Sequence, residues 1–129
     1  MAIFHCQAKA ISRAVGRSAT AAAAYRAGES ITDERTGEVY DYEKKQGVKY
    51  KEIITPEGSQ IARSTLWNLA EVAERRKDAK VAREWELALP SELTHEQRVD
   101  LACQFARKLV ERYGVAADVC IHAPGREGD

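Results

Sequence analysis

Residues 3 to 11 alternate between two faces, with Phe4, Cys6, Ala8 and Ala10 on one and Ile3, His5, Gln7, Lys9 and Ile11 on the other. That period of two predicts a strand. Gly16 closes the connection that follows. Ser18 is placed to cap a helix that runs through the alanines to about Ala27, where Gly28 stops it. Residues 29 to 46 are charged and turn-rich, with Thr36-Gly37 between short segments such as "EVYDY", and predict a hairpin or an irregular excursion. "GVKYKEIIT" then reads as a strand closed by Pro56.

A helix is expected from Ser64 to about Lys77, its apolar stripe made of Leu66, Leu69, Ala70 and Ala73 with Trp67 beside it. In "AREWELALP" the alternation predicts a strand with Glu84, Glu86 and Ala88 on one face and Trp85, Leu87 and Leu89 on the other. Thr94 and Gln97 have the spacing of a capping box for a helix carrying Leu101, Phe105 and Leu109 and ending near Gly114. "VAADVCIH" is the last expected strand, with Asp118, Cys120 and His122 on one face. Strands and helices thus alternate, which predicts an α+β fold with helices packed on a sheet.

Composition narrows the class. The chain has 129 residues, 44% of them apolar and 31% charged, enough for one globular domain over residues 1 to 129 with its own core. No apolar run is long enough for a signal peptide or a bilayer span, so a cytoplasmic protein is expected. Cys6, Cys103 and Cys120 are odd in number and have apolar neighbours, which predicts packed, reduced thiols. A zinc site on Cys120 and His122 is disfavoured, because their spacing is not that of a zinc-ligand pair and no second pair lies near.

Net charge is zero, yet all 20 acidic residues follow Gly28 while Lys9, Arg13, Arg17 and Arg26 precede it. This acid-free segment is either a cationic patch suited to phosphates or a chance cluster of snorkelling side chains. Tyr25 stands inside it, in the last turn of the alanine helix. On such a helix a tyrosine is ordinarily half-buried packing. The alternative is a nucleophile, for which small neighbours would let a DNA backbone approach.

The opening "MAIFHCQAKAISRAVGRSATAAAAYRAG", "YDYEKKQGV", "REWELALPSELT" and the final "VCIHAPG" together resemble the N-terminal part of the MobA/MobL relaxases, mobilisation proteins of the HUH endonuclease class. The resemblance runs through essentially the whole chain in order. It implies an antiparallel, ferredoxin-like sheet with packed helices. It also implies nicking of single-stranded DNA at a plasmid origin of transfer, leaving the 5′ phosphate on a tyrosine, with a divalent metal, Mg or Mn, held by three histidines.

On this resemblance Tyr25 is the nucleophile and His122 the first metal ligand. A phenol's ordinary pKa of about 10 makes its ionisation costly without a nearby cation or metal. Glu84 and Glu86 match paired glutamates that lie close to the metal, although two strand carboxylates are also common as solubilising residues. Lys9, Arg13, Arg17 and Arg26 are the expected path for DNA phosphates. Asp118 shares the His122 face and is a weaker candidate to hydrogen-bond a ligand; the sequence leaves His5 undecided.

The family's His-x-His pair falls beyond "APGREGD", so the metal site and the fold are expected to be C-terminally incomplete in this chain, and the chain is expected to be inactive alone. Relaxosome accessory proteins are implied partners. The competing expectation is a non-catalytic fragment that binds DNA or a relaxosome component through its basic N-terminal face.

Overall fold

The computed structural model describes residues 5–123. Ile3 and Phe4, expected at the start of the first strand, lie outside the described residues, as do the side chain of His5 and the "PG" that follows Ala123. Six strands and three helices follow one another as β1 (His5–Ser12), α1 (Ala19–Ala27), β2 (Ser30–Thr32), β3 (Val39–Asp41), β4 (Val48–Ile54), α2 (Arg63–Ala73), β5 (Lys80–Ala88), α3 (His95–Tyr113) and β6 (Ala117–His122). The class is α+β with antiparallel pairing. The strands hydrogen-bond as three two-stranded ladders, β1 with β5, β2 with β3 and β4 with β6.

Alternation along the strands sorts the helices into two layers. On β5, Glu84 and Glu86 reach Arg17 and Arg26, the latter in α1, while Trp85 between them stacks edge-on against Phe105 of α3, ring centroids 5.7 Å apart. On β6, Asp118 and His122 meet α2 and α1 respectively. Lys51 of β4 likewise reaches the end of α1. The ladders β1–β5 and β4–β6 therefore lie between α1 and α2 on one side and α3 on the other.

The helix termini follow their caps. Ser18 accepts from the Ala21 N–H, and Thr94 and Gln97 form the full reciprocal capping box. Two apolar stripes differ from expectation. In α2 the inward residues are Asn68 and Glu71, while Leu69 is 55% exposed and Ala73 is exposed as well. The buried line of α3 is Ala102, Cys103, Ala106 and Val110, one residue round from the expected Leu101, Phe105 and Leu109. Small side chains let α3 approach the strands closely and leave the larger ones at its flanks. Cys103 is buried, but Cys6 is exposed, against the expectation of three packed thiols.

Polar groups on the inner face of α2 have fixed geometry to serve. Asn68 donates to the Thr32 and Ser64 carbonyls at 2.9 and 3.0 Å and accepts from the Glu34 N–H at 2.8 Å. Glu71, 0% exposed, accepts from the Arg13 guanidinium at 2.7 Å and from the Ala19 N–H at 2.6 Å. A carboxylate there meets the positive end of the α1 dipole. Beyond Ala73 the chain leaves the helix without glycine or proline, because Arg13 captures the Glu74 and Arg76 carbonyls at 2.8 and 3.0 Å. The expected extension of α2 to Lys77 is thereby lost.

The first turn of α1 is also tied to the β2–β3 hairpin. Thr20 donates to the buried Asp33 carboxylate at 2.6 Å, which also accepts the Arg35 and Thr36 N–H groups. Between these polar ties the core is thin. Ile11, Ala19, Ala79 and Val81 form one cluster and Ala23, Ala24 and Ile31 another, with Trp67 packed against both.

Removing one member of a buried ion pair strands the other. Glu71→Ala should cost about 3 kcal/mol or more, read as a lowered urea midpoint; a midpoint equal to wild type contradicts this role. A second expectation concerns acid. Burial raises the Asp33 pKa, but the Thr20 hydroxyl and the Thr36 and Arg35 amides more than offset it, leaving the carboxyl below its usual value. A depressed carboxyl contributes stability above its unfolded pKa of about 4 and loses it as pH falls through the folded value. Urea midpoints taken from pH 7 downward should therefore fall below about pH 4, and Asp33→Asn should flatten that decline. An unchanged acid slope in Asp33→Asn would rule this out.

Candidate active site at the end of helix α1

The last turn of α1 carries three carbonyls with no partner inside the helix. Each is covered from outside. Lys45 donates to the Tyr25 carbonyl at 2.7 Å, the His122 ring to the Arg26 carbonyl at 2.7 Å and Lys51 to the Ala27 carbonyl at 3.3 Å. These cations and donors complement the negative end of the helix dipole. Gly28 then turns the chain at φ +67, where an added Cβ would come within 3.4 Å of the Val48 side chain.

Tyr25 projects from this end with 47% of its surface exposed. Its ring is met edge-on by Tyr42, with centroids 5.3 Å apart, and Lys45 Nζ stands 3.6 Å from the ring centre. The phenol is thus held between an aromatic edge and an ammonium group. Tyr40 and Tyr50 differ, since their hydroxyls donate to Glu38 and Glu52. The Glu52 bond, with burial added, holds the Tyr50 phenol well above its usual pKa, and burial foremost raises that of Tyr40.

Arg26 connects the other candidates. Its carbonyl accepts from His122, and its guanidinium donates to Glu84 at 3.3 Å and to Glu86 at 3.1 Å. Because a carbonyl has no proton to give, Nε2 of His122 must carry one, which leaves Nδ1 as the free lone pair of a neutral ring. Arg17 adds a 2.8 Å bond to Glu84, and Lys9 lies 3.2 Å from Glu86. Burial raises the Glu84 pKa, but the Arg17 hydrogen bond and the charges of Arg26 and Arg17 prevail and lower it. His122, Glu84 and Glu86 therefore all bond to Arg26, through its carbonyl or its guanidinium, and Tyr25 is the residue before it.

The cationic segment is not a free basic surface. Lys9, Arg17 and Arg26 face two carboxylates. Arg13, expected on the DNA path, instead uses four of its five N–H groups on Glu71 and on the carbonyls of residues 71, 74 and 76. Its place is structural. Asp118, a weak candidate beside His122, is likewise engaged: it forms a two-bond pair with Arg63 at 2.7 and 2.8 Å and accepts from Trp67 at 2.8 Å. Burial, with Asp118 next to it, pushes the Cys120 thiol up to about 12, so this cysteine is an inert neighbour.

No group of three His, Cys, Asp or Glu among the described residues is arranged to hold a metal ion. His122 offers one nitrogen, while Glu84 and Glu86 already face cations. These residues do not by themselves fit a divalent ion. Sequence reasoning missed Tyr42, Lys45 and Lys51. The signal was "KKQGVKYK", with lysines at 44, 45, 49 and 51 of the chain, in a stretch whose first part reads only as an irregular excursion.

Comparison with known proteins bears on the same elements. Over 124 residues the chain is 58% identical to "Mobilization protein MobL" of Acidithiobacillus ferridurans, covering 96% of this chain and 33% of that protein. It is 36% identical to "Conjugal transfer protein TraA" of Agrobacterium fabrum, over 95% of this chain and 12% of that one. The chain thus spans a third or less of the length of these relatives. A solved structure described as "Molecular Basis of Vancomycin Resistance Transfer in Staphylococcus aureus" superposes with a TM-score of 0.88 at 37% identity, covering 95% of this chain and 63% of the other. Residues 17–128 match the model of the MobA/MobL family, and the chain belongs to that family.

Proposed function

We propose that the protein is a relaxase that nicks one strand of DNA at an origin of transfer, with Tyr25 as nucleophile. The observation that carries this reading is that His122, Glu84 and Glu86 all bond to Arg26, the residue next to the exposed Tyr25 at the end of α1. Membership of a family whose relatives are called mobilisation and conjugal transfer proteins supports it. Such a reaction belongs in the cytoplasm, beside the plasmid and any accessory proteins of the relaxosome. Among the described residues no helix is long and apolar enough to cross a membrane.

The chemistry is a transesterification. The Tyr25 hydroxyl gives its proton to solvent, its oxygen bonds to phosphorus, and the P–O3′ bond breaks. The departing 3′ oxygen takes up a proton, so none is gained or lost overall. A 5′-phosphotyrosyl ester remains, storing the energy of the broken bond for religation. Lys45 and Tyr42 hold the phenol ring, and Arg26 sets the spacing between α1 and the carboxylates. In this reading His122 would be one ligand of a divalent ion, Mg or Mn, whose remaining ligands would come from outside the described residues and which would supply charge stabilisation at the phosphate.

With an oligonucleotide spanning the origin, Mg²⁺ or Mn²⁺, and a form of the protein that carries the further metal ligands, a denaturing gel should show a covalent protein–DNA band. Tyr25→Phe should reduce it to background while Tyr42→Phe retains it. A band that persists in Tyr25→Phe sinks the assignment. DNA binding without any adduct in wild type would favour the second reading, a DNA-binding fragment without catalysis.

A further inference from the structure

The pairing of Lys9, Arg17 and Arg26 with carboxylates raises the question of where phosphates would be held. Beside Tyr25 a groove of about 620 Å³ opens between the end of α1 and residues 45–51. It is lined by Ala27 and Gly28 on one side and by Lys45, Gln46, Gly47, Val48, Lys49, Tyr50 and Lys51 on the other. No acidic residue lines it. Glu29, the carboxylate that pairs with Lys51 at 2.6 Å, is also covered by Arg63 at 2.7 Å.

We propose that this groove, through Lys45 and Lys49, holds phosphates of single-stranded DNA alongside Tyr25. The inference rests on the relaxase reading for the identity of the strand, and on charge and shape for its path. Lys45 and Lys49 form no ion pair among the described residues, so their charges are available where those of Lys9, Arg17 and Arg26 are offset. Lys45 uses one of its three N–H bonds on the Tyr25 carbonyl, leaving two for a ligand. The carbonyls of Tyr25, Arg26 and Ala27, which would repel an anion, are each covered by a donor.

Gly28 and Gly47 keep both walls low, since neither presents a side chain, and a Cβ at Gly28 would already touch the Val48 side chain at 3.4 Å. A groove of this size takes a short run of one strand and not the width of a duplex. Burial, together with the neighbouring Arg26 charge, lowers the Lys45 pKa, so an arriving phosphate relieves repulsion that is already present. A phosphate bound there lies against the ammonium that contacts the Tyr25 ring.

The test is equilibrium binding of a fluorescein-labelled single-stranded oligonucleotide, followed by anisotropy over a NaCl series. Single strands give a slope of log K against log salt of about 0.7 per phosphate neutralised. Lys45→Gln/Lys49→Gln should therefore flatten the slope by about 1.4. The same charge change at Lys77 and Lys80, near the opposite end of α1, should leave the slope unchanged. Thermal melts establish that each variant is folded, and Lys45→Arg/Lys49→Arg, which keeps both charges, should restore the slope.

An unchanged slope in the glutamine pair overturns the groove, as does equal flattening in both pairs, failure of the arginine pair to restore it, or no binding at all. Preference for duplex over single strand overturns it too. Failure of the relaxase reading shows differently. Binding along the lysines without any tyrosyl adduct would remove the nicking chemistry and leave the groove, whereas an adduct with an unchanged slope would do the reverse.

Discussion

The buried carboxylate of Glu71 is the constraint on which the arrangement rests. It reaches from α2 to the first N–H of α1 and to Arg13, and Arg13 in turn gathers the carbonyls that end α2. An isolated helix of nine residues is marginal in water. Helix α1 is defined because its start is fixed by Glu71 and Asp33 and its end by Lys45, His122 and Lys51. Its alanines let it lie close on the strands but supply little burial of their own. Polar ties therefore do much of the positioning that a larger core would do elsewhere.

That design has a functional consequence. Arg26 can bridge Glu84 and Glu86 only if α1 is correct in both height and rotation, and Tyr25 is one residue away. The buried pairs favour one geometry over its near alternatives, at the cost of desolvating charge. The paired carboxylates also change the meaning of the N-terminal cations. Lys9, Arg17 and Arg26 complete the site's own electrostatics, and the uncommitted Lys45 and Lys49 line the groove at the helix end.

Much of this was legible in the sequence, and the exceptions share a cause. The α1 and α3 caps, the strand bearing Glu84 and Glu86, and the strand ending at His122 follow from local rules of capping and alternation. Asn68, Glu71 and Arg13 broke the reading because their partners are 34 to 63 residues away in sequence, and no period reports such a pairing. In α2, Leu69 and Ala73 of the expected stripe point outward for that reason. Tyr25, His122, Glu84 and Glu86 were nominated by family resemblance, since composition favoured plain packing for Tyr25. The bonds that bring His122, Glu84 and Glu86 to Arg26 are tertiary facts.

In the proposed reaction Tyr25, and not the neighbouring tyrosine stacked against it, receives the DNA. The most direct measurement is mass spectrometry of the protein, in a form that carries the further metal ligands, after reaction with origin DNA and a divalent metal, followed by nuclease and trypsin. Cleavage after Arg17 and Arg26 isolates "SATAAAAYR", whereas Tyr42 falls in a different peptide. A nucleotide mass on residues 18–26 is the predicted result. Modification of the peptide containing Tyr40 and Tyr42, or of none, would contradict the account.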